Sequence, residues 1–365
     1  MRYHAAELMP LTRLTATVAL LLVGLTGGGL SAQSLTTSLF GSYLDSFRER
    51  ANIPALSAAI VQNGVTVWAR GFGRRDVDAG APATPDTPYL IGELSQALGS
   101  TLLLRKCVDQ GSLQLTDRVE QWSPFAEPST PIVALLGHVA PTGLYAFSPA
   151  RFAALTPVIE ECVDVPYPRL LTDELFVRFH MGSSAPGAAL GVSAASRESF
   201  PPEMLTQYEN VLRGTAVGYR LDRGRAIRND SIVRRPEADA ATGVVSSAID
   251  LASFLGALDT PGVLLSPELL DQTLRPLVIG TARYPTGLGW FVQDYTPPGG
   301  VPEPLVWQFG MIKDGYSGMI LRLPRRALSV VMLANSDGLV APFPLDKGDA
   351  TASLFAKLFL GIFAV

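Results

Sequence analysis

The chain has 365 residues, 47% of them hydrophobic and 17% charged, which is enough apolar matter for a large core and too much for a disordered polymer. A formal charge of −4, with no Lys/Arg run, excludes nucleic acid and anionic membrane surfaces as expected partners. Two cysteines and three histidines show no zinc-type spacing, so neither a metal site nor a cofactor is expected.

In chain order, Arg2 and Arg13 flank the start of an apolar run, LTATVALLLVGL, that meets GGGLSAQS. This is the pattern of a secretory signal over residues 1–32, cleaved after Ala32, with Met9 an alternative start. The apolar run is shorter than the roughly 20 residues of a membrane span, so a chain exported to the periplasm or secreted, with no stable span, is expected. LTTSLFGSYLDSFRER then sets Leu35, Leu39, Tyr43, Leu44 and Phe47 on one helical stripe. ALSAAIVQ, an Asn63-Gly64 turn and VTVWARGFG form a hairpin.

From about Thr84 to Pro276 the pattern is helical, in GELSQALGSTLLLRKCVDQ stopped by Gly111, in AIDLASFLGAL, and after a Ser266-Pro267-Glu268 cap, with Pro/Gly-rich loops between. Strand signals return in GLGWFVQDY, LVWQFG, GYSGMILRLP and LSVVMLAN, and LFAKLFLGIFAV closes the chain as a docked helix. Strands at both ends with helices between them imply one sheet built from distant segments around a helical insertion. The expected fold class is mixed α+β in a single domain, 33–365. Its sheet lobe covers about 33–80 and 285–365, and its helical lobe about 81–284.

Several of these segments carry a resemblance. GFGRRDVDAGAPATPDTPYLIGELSQ, FSPARFAALTPVIE, ATGVVSSAIDLASFL, and GLGW followed by GYSGMILRLPRRALSVVMLAN resemble, in order, elements of the serine β-lactamase and penicillin-binding family, most of all its class C β-lactamase and esterase branch. The resemblance covers nearly all of the chain after the signal. It implies a β-lactamase/DD-peptidase-like fold, an antiparallel sheet flanked by terminal helices with a helical lobe beside it and a cleft at their junction.

The family's chemistry needs a serine at a helix N-terminus, a lysine three residues on to take its proton, a tyrosine to relay it and a cationic or polar group on the facing strand. Residues three apart share a helix face, which is why Ser-x-x-Lys brings hydroxyl and ammonium together. Aligned on that element, IGELSQ puts Glu93 at the serine position and Gln96 at the lysine position. The lysines of the chain are Lys106, Lys313, Lys347 and Lys357, preceded at three residues by Leu103, Gly310, Pro344 and Leu354, so no Ser-x-x-Lys exists. Ser95 is two residues from Glu93 and points about 200° around the helix.

The tyrosine and asparagine positions of the second element hold Phe147 and Pro149, and the facing strand offers Gln308-Phe309-Gly310 in place of a cationic motif. Tyr145 and Lys313 are the nearby substitutes, although Lys313 needs the turn before the next strand to be deleted. The short run from Glu93 to Phe147 implies a shallower cleft. His138 falls at a family position that buttresses the loop, and Trp290 suits core packing. Arg322, Arg325 and Arg326 suit a solvated edge.

Losing a nucleophile and its base costs a hydrolase on the order of 10⁶ in turnover. As a dipole-favoured acid, Glu93 supplies about 0.3–1 kcal/mol at the helix N-terminus, with Gln96 a surface or hydrogen-bonding neighbour. The backbone N–H groups of the family's oxyanion hole are then satisfied by the protein's own side chains or by water. A carboxylate in the cleft also disfavours the carboxylate-bearing ligands of the family. Cys107 and Cys162 lie at similar distances along helices that begin at the cleft, and either a disulfide or two buried thiols fits. The expectation is an exported, catalytically silent relative that binds a cell-envelope ligand or protein. The alternative is a divergent ester or amide hydrolase using Glu93, Tyr145 or another residue.

Overall fold

A computed structural model describes residues 35–122, 129–188, 198–232 and 237–364, so the signal segment, its cleavage point and Met9 lie outside the described residues. The chain divides into a unit of residues 1–43 and a unit of residues 44–365. In the first, 35–43 is helical. The expected stripe is corrected there: Leu35, Leu39 and Tyr43 are 71%, 50% and 49% exposed. At about 100° per residue, a stripe spaced by four drifts around the helix and does not hold one face.

The second unit is built on a seven-stranded sheet, antiparallel throughout. Its strands are β1 (Ala55–Gln62), β2 (Val65–Asp76), β3 (Ala81–Pro82), β4 (Phe291–Tyr295), β5 (Glu303–Ile312), β6 (Tyr316–Leu323) and β7 (Leu328–Ala334). They lie in the order β4-β5-β6-β7-β1-β2-β3. The early and late segments meet at β1 and β7, where Leu56 faces Ala334 and Gln62 faces Leu328. Asn63 and Gly64 turn the β1–β2 hairpin with φ of 52° and 76°, the two positive values that a two-residue type I′ turn requires. β6 and β7 are buried along their whole length, which is why apolar residues fill both faces without alternation and the polar exceptions, Ser317, Arg322 and Ser329, are each hydrogen-bonded.

The helix Ala248–Leu258 packs against β1, β2 and β7. It starts on a Ser247 cap whose Oγ accepts from Asp250 N. Between the strand segments lie helices joined by long loops. The expectation of a purely helical stretch is corrected by three two-stranded ladders, Tyr89–Leu90 with Val245–Ser246, Tyr219–Asp222 with Arg225–Arg228 and Val278–Ile279 with Ala282–Arg283. The turn Gly92–Leu94 leads into the helix Ser95–Leu103 and a π-helical turn, Leu104–Val108. The second element is two helices, Pro149–Phe152 and Leu155–Val163. Pro157 does not kink it. It sits in the first turn of the later helix, where its missing N–H is not needed, and the break falls one turn earlier.

Cys107 and Cys162 are joined with Cα atoms 6.1 Å apart, tying these helices together. Across a separation of 55 residues, such a link is worth roughly 4 kcal/mol in the chain-entropy account.

Trp290 is buried, and Arg322 is a correction to the solvated edge: it is 1% exposed. Leu323 is the last strand residue, so Arg322 still points into a covered sheet, where Asp259 at the end of the helix Ala248–Leu258 receives its Nε at 3.0 Å. Its guanidinium also lies 4.8 Å from the Trp290 ring centre. Arg325 is exposed and Arg326 pairs with Glu303 at 2.8 Å. The last helix, Leu354–Phe363, is capped by Ser353 and buries Phe355, Phe359 and Leu360. Among the described residues, no helix is long and apolar enough to cross a membrane.

Candidate functional site

The site is made by two glycines that let backbone meet backbone. Gly92 adopts φ 55°, and a Cβ on it would lie 2.9 Å from Met311 N. A Cβ on Gly310 would lie 2.1 Å from Ile91 O and 2.9 Å from Glu93 N. The turn Gly92–Leu94 is therefore pressed onto β5, and Glu93 and Gln96 meet Gln308, Gly310 and Met311.

Glu93 reaches across this seam: its Oε2 accepts from Met311 N at 2.7 Å. The carboxylate does sit in the first turn of a helical segment, and it also accepts from the facing strand. Met311 was not among the expected site residues. Its only signal was its place directly after Gly310, because a backbone donor leaves no mark in side-chain chemistry.

Gln96 is buried completely and has no surface role. Its Oε1 accepts from Gln308 Nε2 at 3.2 Å and stands 3.1 Å from His138 Nε2. His138 Nδ1 accepts from Ser148 N at 3.1 Å, so the ring proton is on Nε2 and is donated to Gln96. Gln308 Nε2 also reaches Gly289 O at 3.3 Å, and its Oε1 accepts from Phe309 N at 3.0 Å. Burial, reinforced by the nearby Arg151 charge, pushes the His138 pKa down to about 3. The whole chain of groups is neutral at ordinary pH. Gln96 Nε2 has no hydrogen-bond partner.

Ser95 is buried and donates to Gly92 O at 2.7 Å, closing its own turn. Tyr145 gives its hydroxyl to Asp346 O at 2.9 Å, and burial raises its pKa. Lys313 is exposed in the turn between β5 and β6, and Tyr316 opens β6, so Gly315 stays with that turn. Pro149 takes the first helical position behind Ser148, whose Oγ accepts from Arg151 N at 3.3 Å.

Where a relay hydroxyl is expected, Phe147 presents a ring 4.6 Å from that of His138 and 5.1 Å from that of Phe309. Phe291 stacks on Trp307 at 4.3 Å behind them. Of these rings, Phe147 and Phe309 line a cavity of 510 Å³ together with Glu93, Met311 and the segment Val340–Asp346. That segment, with Phe343 at its centre, carries no recognisable motif and was not expected.

A family model described as Beta-lactamase matches residues 40–352. The chain belongs to the beta-lactamase family. Among solved structures, the class C β-lactamase of Rhodobacter sphaeroides is similar with a TM-score of 0.64 and 18% identity, over 88% of this chain and 99% of that one. The octameric penicillin-binding protein homologue of Pyrococcus abyssi gives a TM-score of 0.62 and 22% identity, over 83% and 74%. At such identities the likeness is one of fold. A teichoic acid D-alanine hydrolase of Staphylococcus aureus is 30% identical over 95 residues, 26% of this chain. The match spans about a quarter, 24%, of that relative's length.

Proposed function

We propose that this family member is exported and does not hydrolyse, and that it acts in the cell envelope by binding. One observation carries the reading: the residue at the nucleophile position is a carboxylate that already accepts the N–H of Met311, 2.7 Å away. On the family resemblance that N–H is one of the donors that would polarise an acyl oxygen, and an anion held on it withdraws that donor from a developing oxyanion.

The surrounding chemistry supports it. Gln96 in the general-base position is a neutral amide hydrogen-bonded to His138 and Gln308, and neither Phe147 nor Phe309 can pass a proton. The basic and apolar blocks of residues 1–32 support export. A relative named for teichoic acid agrees with an envelope setting.

The test is purified protein with a chromogenic cephalosporin, p-nitrophenyl esters and a fluorescent penicillin. No turnover above blank and no covalent label are expected. Turnover abolished by Glu93→Gln would instead establish a divergent hydrolase.

A further inference from the structure

A second concavity, of 370 Å³, lies on the far side of the Pro342–Phe343 wall. Its surface is apolar: Phe47, Ala51, Pro342, Phe343, Leu354 and Phe355 line it. Leu354 is 53% exposed there, although it opens a helix whose other large side chains are mostly covered. Phe47 and Phe355 meet edge to face at 6.1 Å and both line the slot.

One charged residue borders it, Arg50. The neighbouring acids are already used: Arg48 holds Asp45 at 2.6 Å and Glu49 at 3.1 Å. Phe47, Arg50 and Ala51 are spaced i, i+3 and i+4, so one helix face carries both the apolar wall and the cation.

We propose that this slot binds a single-chain amphiphile with an anionic head, a long-chain carboxylate, its alkyl chain against Phe47, Phe343, Leu354 and Phe355 and its carboxylate on Arg50. Two features select this occupant. The volume is that of a small-molecule site, and its lining is well short of the roughly 20–30 residues a side of a stable protein interface. The walls offer an alkyl chain apolar contact, while the guanidinium of Arg50, the one charged residue of the lining, forms a fork that fits a carboxylate. Pro342 and Phe343 wall both this slot and the Glu93 cleft, so chain binding in one bears on the shape of the other.

The experiment is calorimetric titration of the full chain with decanoate, 1-decanol and decyltrimethylammonium, each below its aggregation concentration. Decanoate is expected to bind at one site, at least fivefold tighter than the alcohol and tighter still than the ammonium. Arg50→Gln is expected to bring decanoate to the level of the alcohol with melting temperature unchanged, and Ala51→Phe to abolish all chain binding by filling the slot. Arg50→Lys recovers part of the preference. Equal affinity for the three probes, decanoate binding that survives both variants, or no saturable binding overturns the proposal. Elution as a dimer that decanoate does not dissolve would assign the slot to a second copy and overturn it as well.

Discussion

The two sides of the turn Gly92–Leu94 have opposite fates. On one side Gln96, His138 and Gln308 form a sealed, neutral hydrogen-bonded cluster inside the protein. On the other, Glu93 faces a cavity and reaches a backbone N–H of the facing strand. Glu93 and Gln96 are three positions apart, Glu93 in the turn at the cavity and Gln96 in the following helix, fully buried. Gln96, His138 and Gln308 are part of the buried interior and are held by its packing rules, whereas Glu93 lines a cavity and is ionisable.

Changes to the sealed side should therefore cost stability, and changes to the open side should not. The largest effect is expected at the seam itself. Gly310→Ala places a Cβ onto Ile91 O, a backbone atom that cannot move aside, so unfolding in urea should show a loss of more than about 3 kcal/mol or no folded protein. Gln96→Leu comes next. It strands the His138 N–H and one Gln308 donor in the interior, at about 2–4 kcal/mol by the same measurement.

Acid sharpens the contrast. His138 titrates near 3 in the native state against 6.5 unfolded, so its contribution is full above pH 6.5 and is lost as pH falls towards 3, by up to about 1.4 kcal/mol per pH unit. Asp250, which accepts from Ser183 N and Ser184 Oγ, is raised by burial to about 6 from 3.8. Its contribution has the opposite sense: present below 3.8 and lost as pH rises through 6. Between those values the two oppose each other. Denaturation midpoints followed from pH 7 to 4 should fall more steeply in Asp250→Asn than in the native protein, and less steeply in His138→Asn. Asparagine also tolerates the positive φ of 53° at that position. The smallest effect is expected from Glu93→Gln, within about 1 kcal/mol, because the amide oxygen still accepts from Met311 N.

Much of this was legible in the chain. The hairpin at Asn63-Gly64, the Ser266 helix start, the closing helix and the four late strands follow from turn chemistry and apolar runs. The side chains at the motif positions were legible because motifs are side-chain patterns. What escaped sequence reading was whatever depends on backbone or on depth. Met311 enters through its N–H, and Arg322 is buried because its strand is covered on both faces and Asp259 ends a helix beside it. The helix face at Leu35 and Leu39 was misjudged because helical drift over twelve residues outweighs a four-residue spacing. The wall Val340–Asp346 folds over the cleft from a Pro-rich stretch with no periodicity.

The central claim is that the Glu93 carboxylate and the neutral Gln96 cluster have replaced the hydrolytic machinery. It is tested most directly by incubating the protein with a fluorescent penicillin and a chromogenic cephalosporin beside its Glu93→Gln variant. The account predicts an unlabelled band and blank-level turnover for both. A labelled native protein, with label and turnover lost in the variant, would contradict it.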